Sequence, residues 1–245
     1  MRIILCDTNE SICRMWSKFL PRGGKVIVHH GMLDSLVKRE GSPHCAVISP
    51  GNSFGYLGGG FDLAIRNYLG GLAFESWFRE QLGPYYHHVG SSTVVDLRKG
   101  PKIWSERGIR YIIHVPTVVA PSKPLYEHQY PMRTGYEPVF NATWNSLVSA
   151  PNDVDTLIIP GLCSGWVGVP PKVTCKSMCF ALRLYLLNHS ISVDLQNVLI
   201  MHFLNCSFEP FVTEKSKEEC RKLDIDLSRT FDVDTDPLEY ILPDI

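Results

Sequence analysis

A chain of 245 residues, 44% of them hydrophobic, has the size and apolar content of one large α/β domain, and no linker-like stretch divides it. Its apolar runs are too short for a membrane span and, in the N-terminal MRIILCDT, for a signal peptide, so a cytosolic or nuclear protein with no membrane partner is expected. A formal charge of −1 without any Lys/Arg cluster argues against a nucleic-acid partner, because backbone binding needs a concentrated basic face, whereas one small anionic ligand does not.

Residues 2–6 (RIILC) read as a first strand, and Asp7-Thr8-Asn9 offers N-caps for a helix striped by Ile12, Met15, Trp16, Phe19 and Leu20, stopped by Pro21 and Gly23-Gly24. Lys25 to His30 reads as a second strand, Gly31 to Asp34 as a turn, and Ser35 to Arg39 as a short helix. Ala46 to Ser49 is a short apolar strand ended by Pro50-Gly51. After a glycine-rich loop, Phe61, Ala64, Ile65, Tyr68 and Leu69 recur at helical spacing. Gly58, Gly59 and Gly60 thus stand just before a helix begins, where main-chain N–H groups lack intrahelical partners and the dipole is positive. Such a corner binds anions, phosphate above all, and glycine lets main chain lie directly against a ligand. A tight turn that only packs helix on sheet has the same appearance when the cluster stands alone.

Phe74, Trp77, Phe78 and Leu82 mark a further helix halted at Gly83-Pro84, and Ser92 to Leu97 and Tyr111 to Val115 read as strands. From Pro116 to Pro138 the chain is rich in proline and glycine, unable to hold a helix and too polar for a core strand; such a run is either a binding lid or a surface excursion. Phe140, Trp144, Leu147 and Val148 give a helix and Thr156 to Pro160 a strand. The second glycine corner follows, with Gly161, Gly165 and Gly168 leading to Pro170-Pro171 and a helix carrying Met178, Ala181, Leu182 and Tyr185. Two glycine-rich strand-to-helix loops would meet at the carboxyl ends of neighbouring strands, where open α/β sheets bind ligands. Leu195 to Phe203 is expected to close the sheet as a strand. From Leu223 to Ile245 seven acidic residues stand against one arginine, so a peripheral, solvated tail is expected. Eight cysteines are scattered without a CxxC pair or a His-x3-5-His partner; they read as reduced, largely buried thiols, and neither a metal nor a cofactor is expected.

Neither corner fits the P-loop or GxGxxG patterns. Together they resemble a macro domain, the ADP-ribose-binding fold. The family's first motif, a strand ending in Asn-Ala-Ala-Asn, then a spacer, a glycine run, an apolar residue and Asp, is matched by Ser49-Pro50-Gly51-Asn52, Leu57-Gly58-Gly59-Gly60 and Phe61-Asp62. Its second loop, of the type Pro-Ala-Ile-Ser-Thr-Gly-Ile-Tyr-Gly-x-Pro, is matched by the run from Pro160 to Pro170. The similarity spans roughly residues 25–205 of a single domain 1–245, with 207–245 as an acidic extension, and includes the HVPTV segment shared with fungal stand-alone macro proteins regarded as candidate ADP-ribose 1''-phosphate phosphatases. It implies a three-layer α/β/α fold with a mixed sheet of about six strands. It also implies that Asn52 faces the distal ribose, that Ser49, Gly51, Gly58, Gly59, Gly60 and Phe61 line the first phosphate loop, and that Cys163, Ser164, Gly165, Trp166, Val167 and Gly168 line the second.

Asp62 matches the acidic residue that hydrolytic macro domains place near the distal ribose, where an anion could activate water; an Asp at a helix start also simply caps it. Trp166 could stack on the ligand or merely pack, His114 reads as a buried group in a core strand, and His87 and His88 follow a helix stop. Three departures stand out: Gly31-Met32-Leu33 replaces the Gly-Asp-Ile turn that reads adenine, Ser49 replaces the first Asn, and Arg66 replaces the histidine of some ADP-ribosyl hydrolases. The resemblance implies a phosphatase acting on ADP-ribose 1''-phosphate, with Asn52 and Asp62 catalytic. A reader of ADP-ribose or ADP-ribosylated protein, a hydrolase of ADP-ribosyl bonds, and a degenerate macro scaffold binding another nucleotide remain as alternatives.

Overall fold

The computed structural model describes residues 1–20, 25–121, 123–187 and 189–243; the helix stop expected at Pro21 and Gly23-Gly24 lies outside them. Six strands are formed: β1 (Arg2–Asp7), β2 (Val26–His30), β3 (Cys45–Ser49), β4 (Thr93–Asp96), β5 (Tyr111–His114) and β6 (Thr156–Ile159). They make one mixed sheet in the order β2-β1-β6-β3-β5-β4, parallel except where β4 runs antiparallel to β5. Nine α-helices surround it among the described residues: α1 (Glu10–Phe19), α2 (Leu33–Glu40), α3 (Gly60–Leu69), α4 (Gly71–Leu82), α5 (Lys102–Ser105), α6 (Glu137–Val148), α7 (Pro171–Leu187), α8 (Val193–Phe203) and α9 (Glu214–Leu223).

The three layers follow from the period-two alternation of each strand. In β1, Ile3 and Leu5 join the core built with α1, α6, α7 and α8, while Ile4 and Cys6 join the core built with α2, α3, α4 and α5. In β3, Ala46 and Ile48 face the first of these cores and Cys45 and Val47 the second. A strand buried on both faces reads as a continuous apolar run, which is why these central strands stood out in the sequence.

Three expectations are corrected. Residues 193–203 are helix α8, not a closing strand. β6 is hydrogen-bonded to β1 on one side, through Arg2–Leu5 against Thr156–Ile159, and to β3 on the other, and the sheet ends at β2 and β4. The side chain of Ser192 accepts from Leu195 N at the helix start, and Leu195, Val198, Leu199, His202 and Phe203 form a helical stripe of buried residues. The Pro116 to Pro138 run does hold a helix, a π-helical turn from Met132 to Tyr136 that continues into α6. Gly135 permits it, because a β-carbon there would lie 2.8 Å from Tyr126 and 2.9 Å from Val173. The acidic tail, finally, is not peripheral. Leu238, Ile241 and Leu242 are buried in the core, Tyr136 donates to Asp234 at 2.7 Å, and Arg183, itself buried on α7, pairs with Glu239 at 2.5 Å. Lys176, also buried on α7, donates to the Asp236 carbonyl.

Candidate functional site at the carboxyl edge of the sheet

Because β1, β6, β3 and β5 run parallel, Asp7, Gly161, Gly51 and His114 all emerge on one edge of the sheet. The first corner begins where β3 ends. Asn52 turns its carboxamide onto its own loop, accepting from Phe54 N at 3.1 Å and Tyr56 N at 3.4 Å and donating to Tyr56 O at 2.7 Å. It is thus the brace of the loop, with one Nδ2 hydrogen left for a ligand. Leu57 N donates to Glu75 Oε2 on α4 at 2.9 Å, and the same oxygen pairs with Arg66 at 3.3 Å, so the guanidinium is engaged by an ion pair. β-Carbons at Gly58 and Gly60 would meet no atom within 4 Å, and Gly60 has a φ of +55° that glycine adopts freely. The N–H groups of Gly58, Gly59, Gly60, Phe61 and Asp62 find no acceptor among the described residues.

The second corner is tied to β1 by one hydrogen bond and folded on itself by two more. Gly161 N donates to Asp7 Oδ2 at 3.2 Å, Val169 N to Cys163 O at 3.1 Å, and Gly168 N to Gly165 O at 2.9 Å. The Pro116 to Pro138 run seats against it: Leu125 N and Tyr126 N both donate to Val167 O, and Gly168 faces Pro124 closely enough that a β-carbon would lie 2.9 Å away. The Cys163 side chain is buried, its φ is +61°, and burial pushes its thiol up to about 12, so this residue can offer a ligand only main chain. Ser164 Oγ donates to Gly161 O at 3.0 Å. The N–H groups of Ser164, Gly165, Trp166 and Val167 find no acceptor among the described residues, and Gly165 faces open space.

The two corners touch. Trp166, 62% exposed, brings its indole Nε1 to 3.2 Å from the β-carbon position of Gly59. Through the Trp166 side chain the second corner thus rests on the first, and each carries unpaired amides; charge-assisted N–H donors of this sort hold a diphosphate without any lysine.

In the first turn of α3 lies Asp62, only 7% exposed, accepting from Ser49 Oγ at 2.7 Å. Burial raises its carboxyl pKa to about 7, against the opposing effect of the Ser49 hydrogen bond. His114 is fully buried; its Nε2 lies 3.1 Å from Asn52 O, a carbonyl that can only accept, so the proton sits on Nε2. Burial holds its pKa down at about 3, which keeps the ring neutral. The β-carbon position of Gly51 lies 3.1 Å from His114 Nδ1 and 3.4 Å from Asp62 Oδ2, so both groups border the same small volume. Behind His114 stands His87, ring centroids 5.7 Å apart, its main-chain N–H donated to Ser53 O and its ring Nδ1 3.2 Å from Thr93 Oγ1. His88 instead packs edge-on against Tyr86. Asp7 and Glu75 are the residues that sequence reasoning missed. Each is an acid that fastens a loop by accepting from its main-chain N–H, and only the position of Asp7 at the end of a strand hinted at it.

A family model described as a macro-like domain matches residues 1–245. This chain belongs to the macro-like domain family. An uncharacterised protein of Aquifex aeolicus is similar at 28% identity over 158 residues, 63% of this macro-like domain and 84% of the relative. Among solved structures, the Oceanobacillus iheyensis macrodomain with MES bound is 17% identical, with a TM-score of 0.45 over 60% of this chain and 70% of that one. The same macrodomain with ADP gives 17% and 0.43 over 58% and 69%. The macrodomain of Mycobacterium tuberculosis DarG gives 17% and 0.44 over 60% and 85%.

Proposed function

We propose that this macro-like domain binds ADP-ribose 1''-phosphate between its two glycine corners and hydrolyses the terminal phosphate. The observation that supports the reading is that two loops with unpaired main-chain amides lie against each other, the Trp166 indole of one resting on Gly59 of the other. They would hold the diphosphate, and the distal ribose would then lie over Gly51 and Asp62. Water attacks phosphorus, the bond from phosphorus to the ribose oxygen breaks, that oxygen leaves with the electron pair and takes up the Asp62 proton, and a proton given up by the attacking water returns to Asp62. Amides of the first corner and the remaining Nδ2 hydrogen of Asn52 stabilise the negative charge on the phosphoryl oxygens. A carboxyl with a pKa near 7 is half protonated at neutral pH, so Asp62 is suited to give the leaving oxygen its proton as well as to orient water.

Phosphate release from ADP-ribose 1''-phosphate by the wild type and by an Asn52→Ala, Asp62→Ala variant tests this. Release lost in the variant supports turnover. Equal release at contaminant level, with ADP-ribose still bound, leaves a reader. A scaffold for another nucleotide is the second reading that one observation favours: Met32, 66% exposed, begins α2 with no side-chain cap at the position where the family's adenine-reading aspartate stands. Calorimetric titration decides it, since no heat with ADP-ribose at millimolar concentration would favour that scaffold.

A further inference from the structure

Ser49 ends β3 at the point where the chain enters the first corner, and the resemblance to the family placed it against the ligand. Its hydroxyl has a single hydrogen to donate, and that hydrogen goes to Asp62 Oδ1 at 2.7 Å from a fully buried residue. A carboxyl in the first turn of α3 could otherwise swing to cap the N–H groups of its own helix, as acidic residues at helix starts commonly do. The bond to Ser49 holds it across to the sheet instead. Oδ2 is then left bordering the volume above the Gly51 α-carbon, where a β-carbon would lie 3.4 Å from it.

We infer that Ser49 is a positioning residue: its hydroxyl pins one oxygen of Asp62 to the end of β3, so that the other oxygen is presented alone to the group bound over Gly51. The identity of that group as a phosphorylated ribose rests on the function proposed above; the pinning itself belongs to the unliganded fold. Few polar groups compete for the carboxyl. From β5 it faces the neutral His114, behind which lies His87; from β3 it faces Ser49; and Arg66, one turn on along α3, is turned to Glu75 on α4. The Ser49 hydrogen bond thus stabilises the ionised carboxylate against burial, and its removal disfavours ionisation further.

The test is an NMR titration of the Asp62 side-chain carboxyl carbon in the full, unliganded chain, for the wild type and for Ser49→Ala, Ser49→Cys and Ser49→Thr. Ala should raise the midpoint by about one pH unit, Cys, a weak donor of similar shape, should shift it the same way, and Thr, which keeps the hydroxyl, should restore it. Calorimetry with ADP-ribose should show affinity falling about tenfold in the Ala and Cys variants and held in Thr, the scale of one hydrogen bond to a charged group. An unmoved midpoint in the Cys variant, or a Thr variant that behaves like Ala, overturns the inference even where Ala does not fold. Absent ADP-ribose heat in the wild type would count against the proposed ligand, while the titration would still judge the pinning.

Discussion

Asp62 has a direct consequence for stability. Its carboxyl pKa is about 7 in the folded chain against an ordinary 3.8, so between those values the native state holds a proton that the unfolded state has lost. The contribution is fully present below pH 3.8 and is lost as the pH rises through 7, on the order of 4 kcal/mol at about 1.4 kcal/mol per unit. Asp62→Asn keeps an acceptor for Ser49 and carries no charge. Denaturant unfolding at pH 5 and pH 8 should show the variant gaining a few kcal/mol over the wild type at the higher pH; identical pH profiles would mean that the carboxyl ionises normally. The glycines of the first corner divide in the same physical way. Gly58→Val meets open space and should leave the melting temperature within a degree or two while abolishing ADP-ribose binding. Gly60→Ala puts a β-carbon at a φ of +55° and should cost roughly 1 kcal/mol.

At the scale of elements, α7 links the site to the tail. It begins directly after the second corner, and its buried cations Lys176 and Arg183 are satisfied by Asp236 O and Glu239. The acids of the tail, which suggested a solvated segment, are in part counter-charges brought to a helix that buries two positive groups, and Leu238, Ile241 and Leu242 complete the core beside it. Leu242→Ala should lower unfolding free energy by about 2 to 5 kcal/mol, and a chain ending at residue 223 should lose cooperative unfolding, both read by denaturant titration. A truncated chain with an unchanged transition would return the tail to the surface role its composition suggested.

Across the whole molecule, two corners far apart in sequence lie side by side because β3 and β6 are neighbours in the sheet, and the proposed function makes them one binding element. Ligand binding should therefore protect both together. Hydrogen exchange with ADP-ribose bound should slow the amides of residues 58–62 and 164–167 in parallel; protection of one corner alone would break the shared pocket into two unrelated turns. Asp7 and Glu75 hold the two loops from opposite sides, so Asp7→Asn and Glu75→Gln should weaken ADP-ribose affinity by less than loss of a contacting amide, with stability falling about 1 kcal/mol.

The sequence by itself determined the strands, most of the helices and both glycine corners, because apolar period, proline and glycine act over a few residues and leave a local mark. Tertiary structure alone decided the rest. Residues 193–203 are apolar enough for strand or helix, and they formed α8, capped by Ser192 and burying the stripe of Leu195, Val198, Leu199, His202 and Phe203. The tail's charges were legible, but their partners on α7 were not. The roles of Ser49, Asn52 and Asp62 likewise depend on which hydrogen bonds remain once the chain has packed, and no spacing along the chain records the distance from β3 to the first turn of α3.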